Sequence, residues 1–248
     1  MKPVFKKIIR HLISRDFYES LDGGLSVLRN ATFKSDGMIT THNVDFLNEA
    51  LFEKSFQKGL GGIPAVLVDD IFSSIRWRAH ICCWAANQAA QLEGDFVECG
   101  VWYGVLSRTI AEYISFHKTN KNFYLLDTFG NLGRNDRKEY DPDIYDVVKK
   151  RFSEFDNVHL IRGFVPDTLT QVPSKKISYL SIDMNGVEPE RHALNFFYEK
   201  MVPGGVIYFD DYGWAGHANL KLMIDDFFRD KPENILYMPT GQGIVIKI

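Results

Sequence analysis

Apolar and polar positions in the second half of the chain repeat one pattern. A short run of β-branched or aromatic residues is followed by turn residues and then by an amphipathic stretch. This alternation is typical of βα units, which form a parallel sheet with helices on both faces. The pattern predicts strands at Asp95–Cys99, Asn122–Asp127, Val158–Arg162, Ile177–Asp183, Val206–Asp210, Ile235–Met238 and Gly243–Lys247. It predicts helices between them at Val105–His117, Asp143–Glu154, Glu188–Lys200 and His217–Phe228.

The last two predicted strands are joined by the short stretch from Pro239 to Gln242. A connection of this length has no room for a crossover helix, so these two strands should pair antiparallel. We therefore expect an α/β fold of the doubly wound, Rossmann-like type. Its sheet should have seven mostly parallel strands and an antiparallel final strand.

The first part of the chain follows a different pattern. Apolar residues between positions 44 and 52 fall near helical spacing, and a glycine-rich stretch at residues 59–64 breaks the chain after them. An alanine-rich helix is predicted at Arg76–Leu92, leading into the first strand of the sheet. We expect a helical extension over residues 1–75 and one α/β domain over residues 76–248.

Composition narrows the class of protein. The 248 residues are 45% hydrophobic, with 29 basic and 32 acidic side chains and a net charge of −3, which excludes a disordered chain and gives no sign of a nucleic-acid partner. The three cysteines, Cys82, Cys83 and Cys99, lie in apolar surroundings and lack the spacing of a zinc site. No apolar run reaches the length of a membrane span. The basic start is typical of a solvated helix face, with binding to an anionic membrane surface as the alternative. We expect a cytoplasmic protein without stable membrane association.

The segment GDFVECGVWYG, residues 94–104, carries the first sign of a ligand. A strand holding Glu98 is followed by Gly100 and Gly104, and glycine is needed where a backbone turns sharply and approaches another group closely. A dinucleotide enzyme would have GxGxxG here, but Trp102 occupies the position of the middle glycine. A diphosphate is therefore disfavoured, and Glu98 is suited to a cationic amino group.

The next two predicted strands supply the rest of a nucleoside site. Asp127 ends the second strand, where an acid commonly accepts the ribose hydroxyls, and Gly163 and Phe164 end the third, where an aromatic ring could stack on adenine. An amino acid, a ribose and a purine without a phosphate cradle add up to S-adenosylmethionine (SAM). Taken singly, Asp127 could be a solvated strand end and Phe164 a core residue. The predicted cofactor-binding residues are Glu98, Gly100, Tyr103, Gly104, Asp127, Thr128, Phe129, Gly163, Phe164 and Asp183.

Three further acids should meet at the same edge. Asp183 ends the fourth strand, and Asp210 and Asp211 end the fifth. One helix separates the two strands, so their tips should lie side by side. Close carboxylates repel one another unless a cation lies between them, and an all-oxygen set suits Mg²⁺ or Ca²⁺. We predict a metal site formed by these three residues; the alternative is a solvated turn.

Several of these motifs together resemble a known family. GDFVECGVWYG, LLDTFGNL, RGFVPDTL, SIDMNGVEPE and VPGGVIYFDDYG, between about Asp95 and Phe227, are similar to segments of the macrocin and mycinamicin sugar O-methyltransferases. The resemblance implies a class I methyltransferase fold, SAM as methyl donor and Mg²⁺ held by Asp183, Asp210 and Asp211. It also implies that the metal chelates neighbouring hydroxyls of a sugar or glycoside, one of which is methylated.

One position departs from the family pattern. Asn185 stands where the family commonly has an acid with a proposed role as proton acceptor, and an amide cannot accept a proton as a carboxylate does. We therefore predict His217, together with Asp183, as the catalytic residues, with His192 as a further candidate base.

Other interpretations stay open at this point. A catechol-type acceptor would also chelate a metal through adjacent hydroxyls, and a SAM-binding protein with a degenerate acceptor site would explain Asn185. A nicotinamide oxidoreductase is disfavoured by Trp102. The polar stretch from Gly130 to Tyr145 is predicted either as a lid or as an ordinary solvated loop. The apolar residues Phe17, Tyr18 and Phe46 of the N-terminal extension suit it either to a lid or to an oligomer contact, and we expect a homo-oligomer.

Overall fold

The computed structural model describes residues 15–130 and 143–248. Its main feature is a seven-stranded sheet in the order β5-β4-β3-β6-β7-β9-β8. Strands β3 to β7 are mutually parallel, whereas β9 runs antiparallel to both β7 and β8. The predicted α/β class and the antiparallel final strand are therefore confirmed. The strands of this sheet are β3 Asp95–Cys99, β4 Phe123–Asp127, β5 Val158–Arg162, β6 Ile177–Ile182, β7 Met201–Phe209, β8 Leu236–Tyr237 and β9 Gly243–Ile246.

The helices follow the predicted alternation with shifted ends. Two of the predicted helices finish early and continue as tighter 3-10 turns, at Phe116–Lys118 and Tyr198–Lys200. Helix ends commonly tighten in this way because their last carbonyls lack partners one turn ahead. The main helices are α1 Arg15–Asn30, α2 Ala50–Leu60, α3 Arg76–Ala90, α4 Val105–Tyr113, α5 Tyr145–Arg151, α6 Val187–Phe197 and α7 Ala218–Phe228.

Strand β7 begins at Met201, five residues before the start predicted from its apolar run. The extra residues pair with the C-terminus of the chain. The Gly204 N–H donates to the Lys247 carbonyl at 2.7 Å, and the Lys247 N–H donates to the Gly205 carbonyl at 2.8 Å. This long-range pairing cannot be deduced from the local sequence, which reads as a proline-glycine turn.

The chain divides into two compact units, residues 1–46 and 47–248. Within the first unit, the structure describes α1 and a hairpin formed by β1 Phe33–Ser35 and β2 Met38–Thr40. The hairpin was not predicted, although Asp36-Gly37 is a known turn pair and both residues have positive φ angles, +49° and +73°. No helix among the described residues is long and apolar enough to cross a membrane. The basic start, residues 1–14, and most of the predicted lid, residues 131–142, lie outside the described residues.

The core of the second unit is centred on β6, whose six residues are all buried. A central parallel strand is covered by helices on both faces and is therefore apolar along its whole length. Helix α3 packs with small side chains, and its Cys82 and Cys83 are buried and free, as is Cys99 at the end of β3. Burial raises the pKa of all three thiols, so they act as small apolar residues.

A buried carboxylate, that of Glu233, binds the last residues of the chain. Glu233 accepts hydrogen bonds from Lys247 Nζ at 2.6 Å, Tyr198 Oη at 2.8 Å and the Ile248 N–H at 3.3 Å. Burial alone would raise the pKa of Glu233, but the hydrogen bonds from Lys247 and Tyr198 outweigh it and lower the pKa to about 2. The folded protein therefore stabilises the ionised form of Glu233 more than the unfolded chain does.

Substituting Glu233 should cost stability in a pH-dependent way. The folded pKa of about 2 lies below the ordinary value of 4.5, so the stabilisation is complete above about pH 4.5 and is lost as the pH falls towards 2. We expect Glu233→Gln to lower the free energy of unfolding by about 2 kcal/mol at pH 7 and by less at pH 3.5. Urea denaturation across that pH range measures the difference. The exposed Glu199→Gln is the control, and a deficit in Glu233→Gln that did not change with pH would contradict this account.

Candidate active site

The tips of β3 and β6 are held in direct contact by a glycine. Gly100 has a φ of +89°, and a Cβ on it would overlap the backbone oxygen of Asp183. The Asp183 N–H donates to the Cys99 carbonyl at 2.8 Å across the same junction. Glycine is required here as expected, but the group that it approaches is the backbone of β6. The turn thereby fixes Asp183 beside the end of β3.

Asp127, at the end of β4, organises the loop that follows β3. Its Oδ2 accepts the N–H groups of Val101 at 2.6 Å and Trp102 at 2.8 Å, and its Oδ1 accepts the N–H of Phe129 at 2.7 Å. Trp102 and Phe129 both have positive φ angles, +48° and +51°. Left-handed backbone is unfavourable for such large residues, and these hydrogen bonds offset its cost. The sequence predicted Asp127 as a ribose acceptor and missed this structural role.

Glu98 is buried within β3, with 3% of its surface exposed. Its Oε2 has no hydrogen-bond partner among the described residues. Burial, together with the nearby charges of Asp127 and Asp210, raises the pKa of Glu98 to about 8. A buried carboxyl group with an unsatisfied oxygen is suited to a cationic ligand group, since a positive charge would restore its ionised form.

Among the other predicted cofactor residues, two have side chains in the protein core. Tyr103 is buried against Phe72 and Trp102, and Phe129 is fully buried against Tyr145, so a cofactor could reach only their backbone. The remaining residues lie at the strand ends, where they were predicted. Gly104 begins α4 in left-handed conformation, Thr128 donates to Asp127 Oδ1 at 3.4 Å, and Gly163 and the partly buried Phe164 follow β5.

The three acids predicted as metal ligands do come together. Asp183, Asp210 and Asp211 each offer a carboxylate oxygen, and these oxygens lie within 4.8 Å of one another. Burial, followed by the charges of Asp210 and Asp211, raises the pKa of Asp183 well above its usual value. Three carboxylates at this separation repel one another, and a cation held between them would offset that repulsion. The donor set, all oxygen and mostly shielded from solvent, therefore fits a hard divalent ion such as Mg²⁺.

Arg78 is a site residue that the sequence analysis missed. It projects from α3, forms a buried ion pair with Asp210 and lies over the ring of Trp214, with 5.6 Å from Cζ to the ring centroid. Tyr208 donates to the other oxygen of Asp210 at 2.7 Å. Asp210 is thus oriented on both sides and partly neutralised. No local signal marks Arg78, because its partner lies 132 residues further along the chain.

The candidate proton acceptors lie at different distances from the acids. His217 Nε2 is 3.9 Å from Asp211 Oδ2, and its side chain is 34% exposed. Asn185 has a φ of +53° and donates from Nδ2 to Asp183 Oδ1 at 3.2 Å. His192 is exposed on α6. Of the two histidines, only His217 forms an ionic contact with one of the three acids among the described residues.

A second residue missed by the sequence analysis supports the loop between β6 and α6. Glu190 is buried, and its Oε1 accepts the N–H of Met184 at 3.1 Å. Burial raises its pKa to about 7. An acid in the first turn of a helix after Gly186 commonly caps exposed N–H groups, and this position was the available signal. Glu190 therefore holds the backbone directly after Asp183.

The sheet order, the glycine turn after β3 and the acids at the strand ends define the class I methyltransferase fold. The family model of macrocin-O-methyltransferase (TylF) matches residues 76–235. The chain belongs to this family, and the protein is a methyltransferase.

Individual relatives agree with this assignment. The chain is 25% identical over 193 residues to mycinamicin III 3''-O-methyltransferase of Micromonospora griseorubida, covering 69% of this chain and 76% of that protein. The solved structure of the O-methyltransferase NovP has a TM-score of 0.56 at 20% identity, covering 68% of this chain and 79% of NovP. CalS11, described as a TDP-rhamnose 3'-O-methyltransferase of calicheamicin biosynthesis, has a TM-score of 0.54 at 15% identity, covering 83% of this chain and 96% of CalS11. These two structural similarities support the fold.

Removing Arg78 should expose the repulsion that it offsets. In Arg78→Met the apolar volume is largely kept, but Asp210 loses its buried counter-charge, so we expect the free energy of unfolding to fall by about 3 kcal/mol. Urea denaturation in EDTA measures this loss. Asp210→Asn in the Arg78→Met background should recover much of it, because no unpaired charge is then left.

The control is Arg191→Met, which removes an exposed arginine 3.6 Å from Glu188 and should change stability by less than about 0.5 kcal/mol. If the effects of Arg78→Met and Asp210→Asn simply added in the double variant, the two side chains would not be coupled as described.

Proposed function

We propose that this methyltransferase transfers a methyl group from SAM to a hydroxyl of a sugar or sugar-containing natural product, with Mg²⁺ bound by Asp183, Asp210 and Asp211. The observation that carries the proposal is the meeting of these three acids at the sheet edge that also holds Glu98 and Asp127. The names of the mycinamicin relative and of CalS11 support a sugar as acceptor.

The residues for SAM lie along the ends of three neighbouring strands. The unsatisfied oxygen of Glu98 would take the ammonium group of the methionine part. Asp127 already accepts three backbone N–H groups and a long hydrogen bond from Thr128 at Oδ1, so a ribose hydroxyl would bind there in place of the Thr128 hydroxyl. Phe164, partly buried after β5, would border the adenine. SAM itself supplies the activated methyl group.

The three acids would hold the metal with different degrees of freedom. Asp210 is oriented by Arg78 and Tyr208, Asp183 receives a hydrogen bond from Asn185, and Asp211 lies next to His217. When bound there, Mg²⁺ would lower the pKa of a coordinated hydroxyl and align two neighbouring hydroxyls of the acceptor. The protein's main contribution to the rate is then to keep acceptor oxygen and methyl donor in line and close together.

His217 is the residue that we propose to take the proton of the acceptor hydroxyl. Its position beside Asp211 puts the imidazole next to the metal-binding acids, and its partial exposure lets the proton pass on to water. Asn185 directs its amide N–H₂ group at Asp183 and serves there as a hydrogen-bond donor. Asp183 would act in catalysis through the metal that it binds.

A second candidate function follows from Asn185. If the acceptor site has lost its proton acceptor, the protein would bind SAM without transferring its methyl group to a vicinal diol. A catechol-type acceptor is the alternative within the transfer reaction, because its adjacent hydroxyls can chelate a metal in the same way.

Replacing a metal ligand separates the two roles of the site. We expect Asp211→Asn to lower Mg²⁺-dependent methyl transfer by at least about 100-fold and to leave the dissociation constant of SAM within about 2-fold. Asp211 follows β7, which lies two strands from β3 in the sheet, whereas Glu98, Asp127 and Phe164 belong to the ends of β3, β4 and β5. The assay uses radiolabelled SAM with a panel of nucleotide sugars, glycosides and catechols, with Mg²⁺ or with EDTA. SAM binding is measured by calorimetry.

The control for this experiment is Asp226→Asn on the exposed side of α7. Transfer that persisted in EDTA, or an Asp211→Asn variant as active as the control, would refute the metal assignment. SAM binding by the native protein without transfer to any member of the panel would favour the second candidate function.

The role of His217 predicts a change in pH dependence. A general base must be neutral to act, so the rate of the native protein should rise with pH, and His217→Gln should remove that rise and slow transfer by about 10- to 100-fold. Rates between pH 5.5 and 9 at saturating SAM measure the profile. His192→Gln, on the exposed face of α6, is the matched control. A profile for His217→Gln equal to that of the native protein would exclude His217 as the base.

A further inference from the structure

A cavity of about 490 Å³ lies outside the candidate active site, between the end of α2, α4 and α5. This volume lies within the usual range of small-molecule sites. None of its lining residues comes from the strand ends that carry the acids. Its lining includes Lys58, Gly61, Arg108, Val147, Lys150 and Arg151.

The charge of this cavity is opposite to that of the whole chain. The protein has a net charge of −3, yet the cavity is lined by four cationic side chains and one carboxylate, Glu154. Arg108 is balanced, because it pairs with both Glu112 and Glu154. The other three cations have no carboxylate partner in the part of the chain that the structure describes. The charge of Lys58 does help to lower the pKa of Glu154, but four cations against one carboxylate leave the lining with an excess of positive charge.

Arg151 is fixed at the wall of the cavity by backbone groups. It donates to the carbonyl oxygens of Gly59 and Gly61, and its own carbonyl accepts a hydrogen bond from Arg108. Gly59 allows α2 to lie directly on α4, since a Cβ there would overlap Thr109. Burial, followed by the charge of Arg108, lowers the pKa of Arg151 to about 10. Two guanidinium groups are thus held close together against their repulsion.

Lys58 and Lys150 complete the cavity from the two helices that border it. Both are exposed, and within residues 15–130 and 143–248 neither ammonium group forms a hydrogen bond or ion pair. Basic residues at helix ends often compensate the helix dipole. Here the guanidinium groups of Arg108 and Arg151 already satisfy carbonyls at the ends of α5 and α2, so the two lysines are not needed for that purpose.

We infer that this cavity binds a small molecule carrying a phosphate or diphosphate group. Several cations around one space match a multivalent anion better than a single carboxylate, and arginine and lysine are the usual phosphate-binding side chains. Val147 offers an apolar surface for an organic part of the ligand. The site is independent of the proposed methyl transfer, because it shares no residue with the SAM and metal sites.

The test uses the full-length protein without SAM or metal. Calorimetric titrations with inorganic phosphate, pyrophosphate and uridine diphosphate give the dissociation constants. We expect saturable binding of pyrophosphate, weakened at least about 10-fold in the double variant Lys58→Gln/Lys150→Gln. The matched control is Lys54→Gln/Lys149→Gln, which removes the same charge from exposed positions of the same two helices outside the cavity lining and should change the affinity less than about 2-fold.

The relative affinities of the three anions show which part of the ligand the cavity recognises. Tighter binding of uridine diphosphate than of pyrophosphate would place a nucleoside part in the cavity, and equal affinities would restrict the site to the phosphate groups. The proposal is overturned if none of the three anions binds saturably, or if the two double variants lose affinity equally, because the effect would then be one of net charge.

Discussion

Repulsion among carboxyl groups at one sheet edge is the constraint on which the rest of this structure depends. Parallel strands bring their C-terminal ends together, and in this chain those ends carry Glu98, Asp127, Asp183, Asp210 and Asp211. Each group is stabilised differently. Asp127 accepts backbone N–H groups and Asp210 is paired with Arg78, whereas burial, followed by the charges of nearby carboxylates, raises the pKa of Glu98 and of Asp183. Glu98, whose Oε2 has no hydrogen-bond partner among the described residues, and Asp183 are the two groups whose ionised form a cationic ligand would stabilise.

The backbone at this sheet edge determines where those carboxyl groups lie. The missing side chain of Gly100 lets β3 touch β6, and the carboxylate of Asp127 holds Trp102 and Phe129 in left-handed conformation. Unfavourable backbone of this kind persists only where the surroundings over-determine it. The loops after β3 and β4 are therefore anchored by an acid that also belongs to the proposed cofactor site. In the proposed site, ligand binding and loop geometry would therefore depend on the same side chain.

The extent of sequence-based prediction follows the range of the interactions involved. Strand β5 begins and ends where its apolar run predicts, and the meeting of Asp183 with Asp210 follows from the βα alternation alone. Arg78 and the early start of β7 were missed, because their partners lie far along the chain and leave no local pattern. Glu190 had a local signal, its place in the first helical turn, but its burial depends on packing. The periodicity of the sequence thus predicts which strand ends lie side by side. The counter-charges that offset the repulsion between their carboxylates come from tertiary contacts, which the periodicity does not show.

The position of Asn185 gives a division of labour within the proposed reaction. A carboxylate that binds a metal ion is a weak base. An acid at position 185 would compete with the three proposed metal ligands for the same cation. With an amide there, Oδ1 of Asp183 accepts a hydrogen bond from Asn185, which orients the carboxylate. The proton then needs a group whose basicity the metal does not consume. His217 meets this condition. Its imidazole lies next to Asp211 and could accept the proton while the three carboxylates bind the metal. The presence of Asn185 is therefore compatible with an active site whose base lies on the loop after β7, as well as with a degenerate site.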